Sequence, residues 1–195
     1  MANQFEWEVT VIKDDKTMNA FALPGGKIAV YTGIFPVAKT EAGLAAVMGH
    51  EVVHALARHG GERMSQNTLA QTTLQAIGIA LGVSGANPVV SQGAMAALGV
   101  GAQVGVLLPF SRKHESEADY VGVLLAADAG YDPRESIQLW TRMGELSGGK
   151  SASEFMSTHP SHETRIEQLE EWMSEAMPIN QSKPPAPNHE LPALR

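Results

Sequence analysis

One helix constrains this chain more than any other stretch of its sequence. From Thr40 onward apolar residues recur at helical spacing, with Leu44, Val47, Met48 and Val52 forming one stripe. Thr40 suits an N-cap, and Glu41 puts a negative charge in the first turn, where the helix dipole favours it. Into that stripe the sequence inserts three ionisable groups, His50, Glu51 and His54. A helix that turns an apolar face to a core carries such groups inward, and buried polar groups need partners. In His50-Glu51-Val52-Val53-His54 the histidines share one face, their Cβ atoms about 5–6 Å apart, so both imidazoles can grip one zinc ion. Glu51 projects about 100° round the helix, beside the metal, where it can take a proton from an activated water.

A catalytic zinc site needs a third protein ligand and an open fourth position. Downstream, Arg112-Lys113-His114-Glu115-Ser116-Glu117-Ala118-Asp119 opens another predicted helix. Glu115 and Asp119 are four apart and share a face. Glu115 can coordinate the metal while Asp119 accepts a hydrogen bond from the far ring nitrogen of a ligand histidine, orienting the ring and raising its basicity. Gly122 continues that face and removes bulk where the two helices must approach. His114 and Glu117 compete with Glu115 as third ligand, but the residues four further on, Ala118 and Val121, offer no acceptor.

The rest of the chain bounds the setting. With 195 residues, 44% of them hydrophobic and 18% charged, one globular domain is expected, spanning residues 1–180. Without cysteine there are no disulfide scaffolds, thiolate zinc fingers or cysteine nucleophiles. A net charge of −7 argues against nucleic acid as a partner. The opening residues are polar and form no secretory signal. An alternating β-branched run (7–12), a stretch (18–22) closed by the Leu23-Pro24-Gly25-Gly26 turn and a third run (27–32) predict a small N-terminal sheet, with the rest mainly helical, an α+β fold. Gly60-Gly61 is expected to end the first long helix. Met64 to Ser111 contains no charged residue, and helices are predicted within 65–83 and 92–109. They are expected to be buried or half-buried, with a lid or a membrane-touching hairpin as the alternative. Further helices are predicted from Arg112 to Ala129, from Asp132-Pro133 to Leu146, and from Ser161 to Met177 with Ile166, Leu169, Trp172 and Met173 inside. Residues 181–195 read as a proline-rich tail, extended or disordered. His59, His162 and His189 read as surface residues.

His50 to His54, followed by Glu115-Ser116-Glu117-Ala118-Asp119-Tyr120-Val121-Gly122, resembles the HExxH plus ExEADxxG signature of membrane-associated zinc peptidases. That family includes HtpX and the type I CAAX prenyl proteases. Asn19 to Gly26, Ala129-Gly130-Tyr131-Asp132-Pro133, and Thr158-His159-Pro160 with Arg165 after it are similar to its soluble periplasmic branch, the BepA-like and LoiP-like enzymes. The resemblance spans roughly residues 8–175. It implies a zincin fold of the gluzincin type with one zinc per chain, His50, His54 and Glu115 as ligands, and Glu51 as general base. It also implies a role for His159 near the metal, either reaching the substrate or oxyanion or capping the zinc in a latent state. Arg165 could anchor the His159 loop through a carboxylate. Family members carry a leader and a helix ahead of the first strand, so a shortened form of an exported, peripheral or lipid-anchored periplasmic protein is expected.

The function these readings favour is hydrolysis of internal peptide bonds in unfolded or misassembled envelope proteins. The strand containing Asn19, Ala20 and Phe21 should be an edge that faces the cleft and pairs with extended substrate. Residues 65–109 would restrict access as a lid. Membrane association would come through a missing N-terminal anchor or through the 65–109 segment. The alternative is a quality-control binding module that keeps the zinc and holds clients without cutting them.

Overall fold

The computed structural model describes residues 4–85, 87–147, 159 and 164–193. The chain divides into two compact units, Met1–Ala57 with Glu115–Arg195, and Arg58–His114. The described residues are mainly helical with one small sheet.

In the first unit, β1 (Glu8–Ile12), β2 (Ala20–Leu23) and β3 (Lys27–Tyr31) form a sheet of order β1-β3-β2. β1 runs parallel to β3. β2 runs antiparallel to it, with Ala20 opposite Val30 and Ala22 opposite Ile28. Both glycines of the β2–β3 turn take positive φ, 93° at Gly25 and 95° at Gly26, a conformation that costs glycine little. Ile28 and Val30 are buried, whereas Val9 and Val11 of β1 are exposed. β2 is the other edge. The Asn19 carbonyl accepts the Tyr31 N–H at 3.0 Å, so by antiparallel alternation Ala20 and Ala22 direct their main-chain groups away from β3.

A 3-10 turn (Thr32–Ile34) and the short α1 (Phe35–Ala38) lead into α2 (Glu41–Leu56). The first N–H groups of α2 all find acceptors, as a buried helix start requires. Thr40 Oγ1 accepts from Gly43, the Asn188 side chain from Ala42, and the His189 carbonyl from Glu41. Two of those acceptors belong to the C-terminal tail, whose described residues take the extended alternative. Leu191 N–H donates to the Lys39 carbonyl and Ala186 N–H to that of Gly130.

α2 ends before Gly60-Gly61, contrary to the sequence expectation. Arg58 makes the break by adopting a left-handed conformation (φ 59°), and α3 (His59–Val83) starts at once with both glycines in its first turn. In this second unit, α3 pairs with α4 (Pro88–Ala102), capped by the Asn87 side chain on Val89 N–H at 2.9 Å. A π-helical turn (Gln103–Leu107) then carries the chain unbroken into α5 (Leu108–Asp128). The separate helices expected at 92–109 and 112–129 are therefore joined, the wider turn absorbing the register change. Of the expected buried or half-buried hairpin, the buried part is corrected: the described residues from Gly60 to Leu107 are half-buried or exposed and none is buried.

α6 (Arg134–Ser147) opens with Asp132 accepting from Arg134 N–H at 3.0 Å, and α7 covers Arg165–Gln181. The Ser161 expected to begin α7 lies outside the described residues, as does His162. The core joins Ile28 and Val30 to Val47 of α2, Val123 and Ala127 of α5, Leu139, Trp140 and Met143 of α6, and Leu169 of α7. α2 and α5 touch backbone to backbone. A Cβ on Gly49 would lie 2.7 Å from the Gly122 carbonyl oxygen, and one on Gly122 would lie 2.9 Å from His50 N. Among the described residues, no helix is long and apolar enough to cross a membrane.

Candidate metal centre

The Gly49–Gly122 contact brings the polar faces of α2 and α5 together. α2 supplies His50, Glu51 and His54, and α5 supplies Glu115 and Asp119, all buried. Ligand atoms of His50, His54, Glu115 and His159 all lie within 4.8 Å of one another. His50 Nε2 is 3.0 Å from His54 Nε2, 3.1 Å from His159 Nδ1 and 3.3 Å from Glu115 Oε2. His54 Nε2 lies 3.6 Å from Glu115 Oε1.

This donor set fits a metal ion. His50 Nδ1 lies 2.9 Å from Asp119 Oδ1. With that nitrogen donating to the carboxylate, Nε2 presents its lone pair to the cluster. Three imidazoles crowded round a fully buried carboxylate offer the nitrogen and oxygen donors that divalent transition metals take.

Arg165, expected to act through a carboxylate, is buried beside two of them. Its Nη2 donates to Asp119 Oδ1 at 2.7 Å and lies 3.4 Å from Glu115 Oε2. Its Nε lies 2.6 Å from Asp119 Oδ2. The guanidinium carbon sits 3.3 Å from the Trp140 ring centroid, a cation–π arrangement, and the Trp140 ring meets His50 edge-on at 6.0 Å. Nothing in the sequence singled out Trp140; the nearest signal was its place on the apolar face of an amphipathic helix.

Glu51 stands beside the cluster. Its Oε2 accepts the Ala22 N–H of the sheet edge at 3.2 Å, and its Oε1 is 3.4 Å from His159 Nε2. The four charged groups divide by environment. Among the protein groups alone, burial opposes charge on His50, but hydrogen bonds to Asp119 and Glu115 outweigh it and push the imidazole up to about 9, so a bound metal would take the place of the proton on Nε2. Burial also works against the Glu115 carboxylate, yet His159 and His50 hold it well below the usual range. For Asp119 burial is likewise overcome, first by the Arg165 charge and then by His50, and the shift is downward. Glu51 moves the other way: burial raises it, against the pull of His159 and His50. Glu51 is thus the carboxylate with the strengthened affinity for a proton.

The other candidates separate. His114 is buried but stacks on His59, ring centroids 4.1 Å apart, and lies 3.2 Å from Glu62, outside the donor group. Glu117 is exposed. His59, read as a surface residue, is buried, because the break at Arg58 folds it back toward His114. His189 is exposed and bonds Glu41. Asn19 and Ala20 are buried at the start of β2, and Phe21 is half-buried beside Tyr31. Thr158 and Pro160 lie outside the described residues.

Over residues 1–173 the sequence matches the description "Peptidase family M48". It is 42% identical over 176 residues to the mitochondrial metalloendopeptidase OMA1 of Schizosaccharomyces pombe, covering 89% of this chain and 49% of the relative. The protein of the same name from Arabidopsis thaliana is 42% identical over 166 residues, 84% of this chain and 31% of its own. The beta-barrel assembly-enhancing protease of Yersinia pestis is 28% identical over 151 residues, 76% of this chain and 31% of its own. The chain spans half or less of the length of these relatives.

Proposed function

The chain belongs to peptidase family M48, and from that premise we propose that it is a zinc-dependent endopeptidase acting on unfolded or misassembled proteins. The carrying observation is the convergence of buried His50, His54 and Glu115 donors beside Glu51. Two imidazoles and a carboxylate suit zinc. Held there, the ion would supply Lewis acidity, drawing electrons from the scissile carbonyl and making the attacking water more acidic.

The protein's own groups do the rest. Glu51 Oε1 takes a proton from the attacking water and later passes it to the leaving amine; Ala22 N–H holds the other oxygen in place. Asp119 fixes the His50 ring, and Arg165 fixes Asp119. Ala20, with its main-chain groups turned from β3, pairs with an extended substrate flanked by Asn19 and Phe21. Such pairing reads main chain, so specificity for side chains is loose. His159 has Nδ1 among the donors and Nε2 toward Glu51, which favours a resting state capped by His159 over an oxyanion role. The resemblance to the periplasmic branch and the beta-barrel relative support envelope proteins in the periplasm as substrates. The mitochondrial relatives support the family chemistry without favouring that compartment.

Chelation tests this reading on casein. Cleavage should stop when metal is stripped and return with one zinc per chain. Cleavage by metal-free protein would overturn it. So would a zinc-loaded chain that fails to cut casein both as the parent and as the uncapped His159→Ala variant, the behaviour of a holdase.

A further inference from the structure

The unit Arg58–His114 has a feature that peptide hydrolysis does not use. We propose that the tip of the α3–α4 hairpin dips into one leaflet of a phospholipid membrane. All the Asp, Glu, Lys and Arg side chains of this unit (Arg58, Glu62, Arg63, Arg112 and Lys113) lie at its base, where His59 stacks on His114. Between Met64 and Ser111 there is none.

Polarity falls along α3 from base to tip. Gln66, Asn67, Gln71, Thr72, Thr73 and Gln75 occupy its first part, and from Ala76 to Val83 no polar side chain remains. Those eight residues rise about 12 Å, close to the thickness of one leaflet's hydrocarbon and far short of a span. Ile79, Val83, Val89 and Val90 are all largely exposed, Val83 at 85%. Adjacent Val89 and Val90 point to different sides of α4, so the apolar surface covers more than one side of the tip rather than forming one stripe, with uncharged Ser91 and Gln92 following it. A protein groove takes one face of a helix and is rimmed by polar groups. Lipid accepts all sides and requires that charge be absent.

Lipid also requires that polar groups be satisfied internally. At the tip Ser84 Oγ donates to the Leu81 carbonyl at 2.8 Å, and the Asn87 side chain accepts from Val89 N–H at 2.9 Å, while Ser91 Oγ, inside the first turn of α4, is shielded without a partner. Nearer the base, Thr68, Thr72 and Thr73 return their hydroxyls to carbonyls four residues back.

Vesicle flotation of the full chain tests the proposal without reference to peptidase activity. The chain should float with phosphatidylcholine–phosphatidylglycerol vesicles, and Val83→Asp with Val89→Asp should lower the bound fraction at least tenfold while circular dichroism is unchanged. Because the chain has no cysteine, Val83→Cys takes a single environment-sensitive fluorophore. Its emission should shift to the blue on vesicles and be quenched by a nitroxide on the lipid chain, whereas Gln66→Cys should report water. A parent chain that does not float, a double variant that floats equally, or a tip label that is buried only by self-association without vesicles would each overturn it.

Discussion

α2 and the α3–α4 hairpin follow each other directly along the chain and invert each other's chemistry. α2 buries His50, Glu51 and His54, while the hairpin exposes Met64, Leu69, Ile79 and Val83. The buried ionisable groups of α2 have partners chosen by geometry: Asp119 for His50, the Ala22 N–H for Glu51 and Glu115 for His54, with Arg165 holding Asp119 in turn. The hairpin has no such constraint, and a substitution there meets mainly solvent. Buried polarity therefore marks where the fold is over-determined, and exposed apolarity where it is left open to something outside the chain.

That contrast can be broken experimentally, and the largest effect is expected at Arg165. Arg165→Met keeps a side chain over Trp140 but leaves Asp119 and Glu115 buried without their cation, which should cost about 3–5 kcal/mol in denaturant unfolding. A loss below about 1 kcal/mol would mean that the carboxylates are solvated and the centre is less enclosed than its geometry says. Two methionines sharpen the comparison further. Met143 is 1% exposed in the core and Met64 is 71% exposed at the start of the hairpin. Met143→Ala should destabilise by about 2–5 kcal/mol, and Met64→Ala should stay within about 0.5 kcal/mol. Equal effects on the midpoint of unfolding would erase the distinction between the two regions.

What could be read in the sequence was local in origin. The pairs His50/His54 and Glu115/Asp119 share helix faces because they are four apart, and that spacing is visible without a fold. The three strands were legible for the same reason: β1 from its β-branched alternation, and β2 and β3 from the Pro24-Gly25-Gly26 turn between them. What escaped depended on backbone events or distant packing. A left-handed Arg58 outcompeted two glycines as helix breaker and so buried His59. The π-helical turn at Gln103–Leu107 left no composition signal and joined two expected helices. Trp140 reaches the centre from α6 only through tertiary packing under Arg165. For the hairpin the sequence allows a buried, half-buried or membrane-touching pair of helices, because apolar composition implies a core only when the chain itself supplies the cover.

The most direct test of the account compares casein degradation by the parent chain and by Glu51→Gln, with bound zinc measured in both. Glu51 lies beside the donor cluster rather than in it, so the variant should keep one zinc per chain and lose activity by about 10²–10⁴-fold, the range for a removed general base. Undiminished cleavage by zinc-loaded Glu51→Gln would contradict the account at its centre.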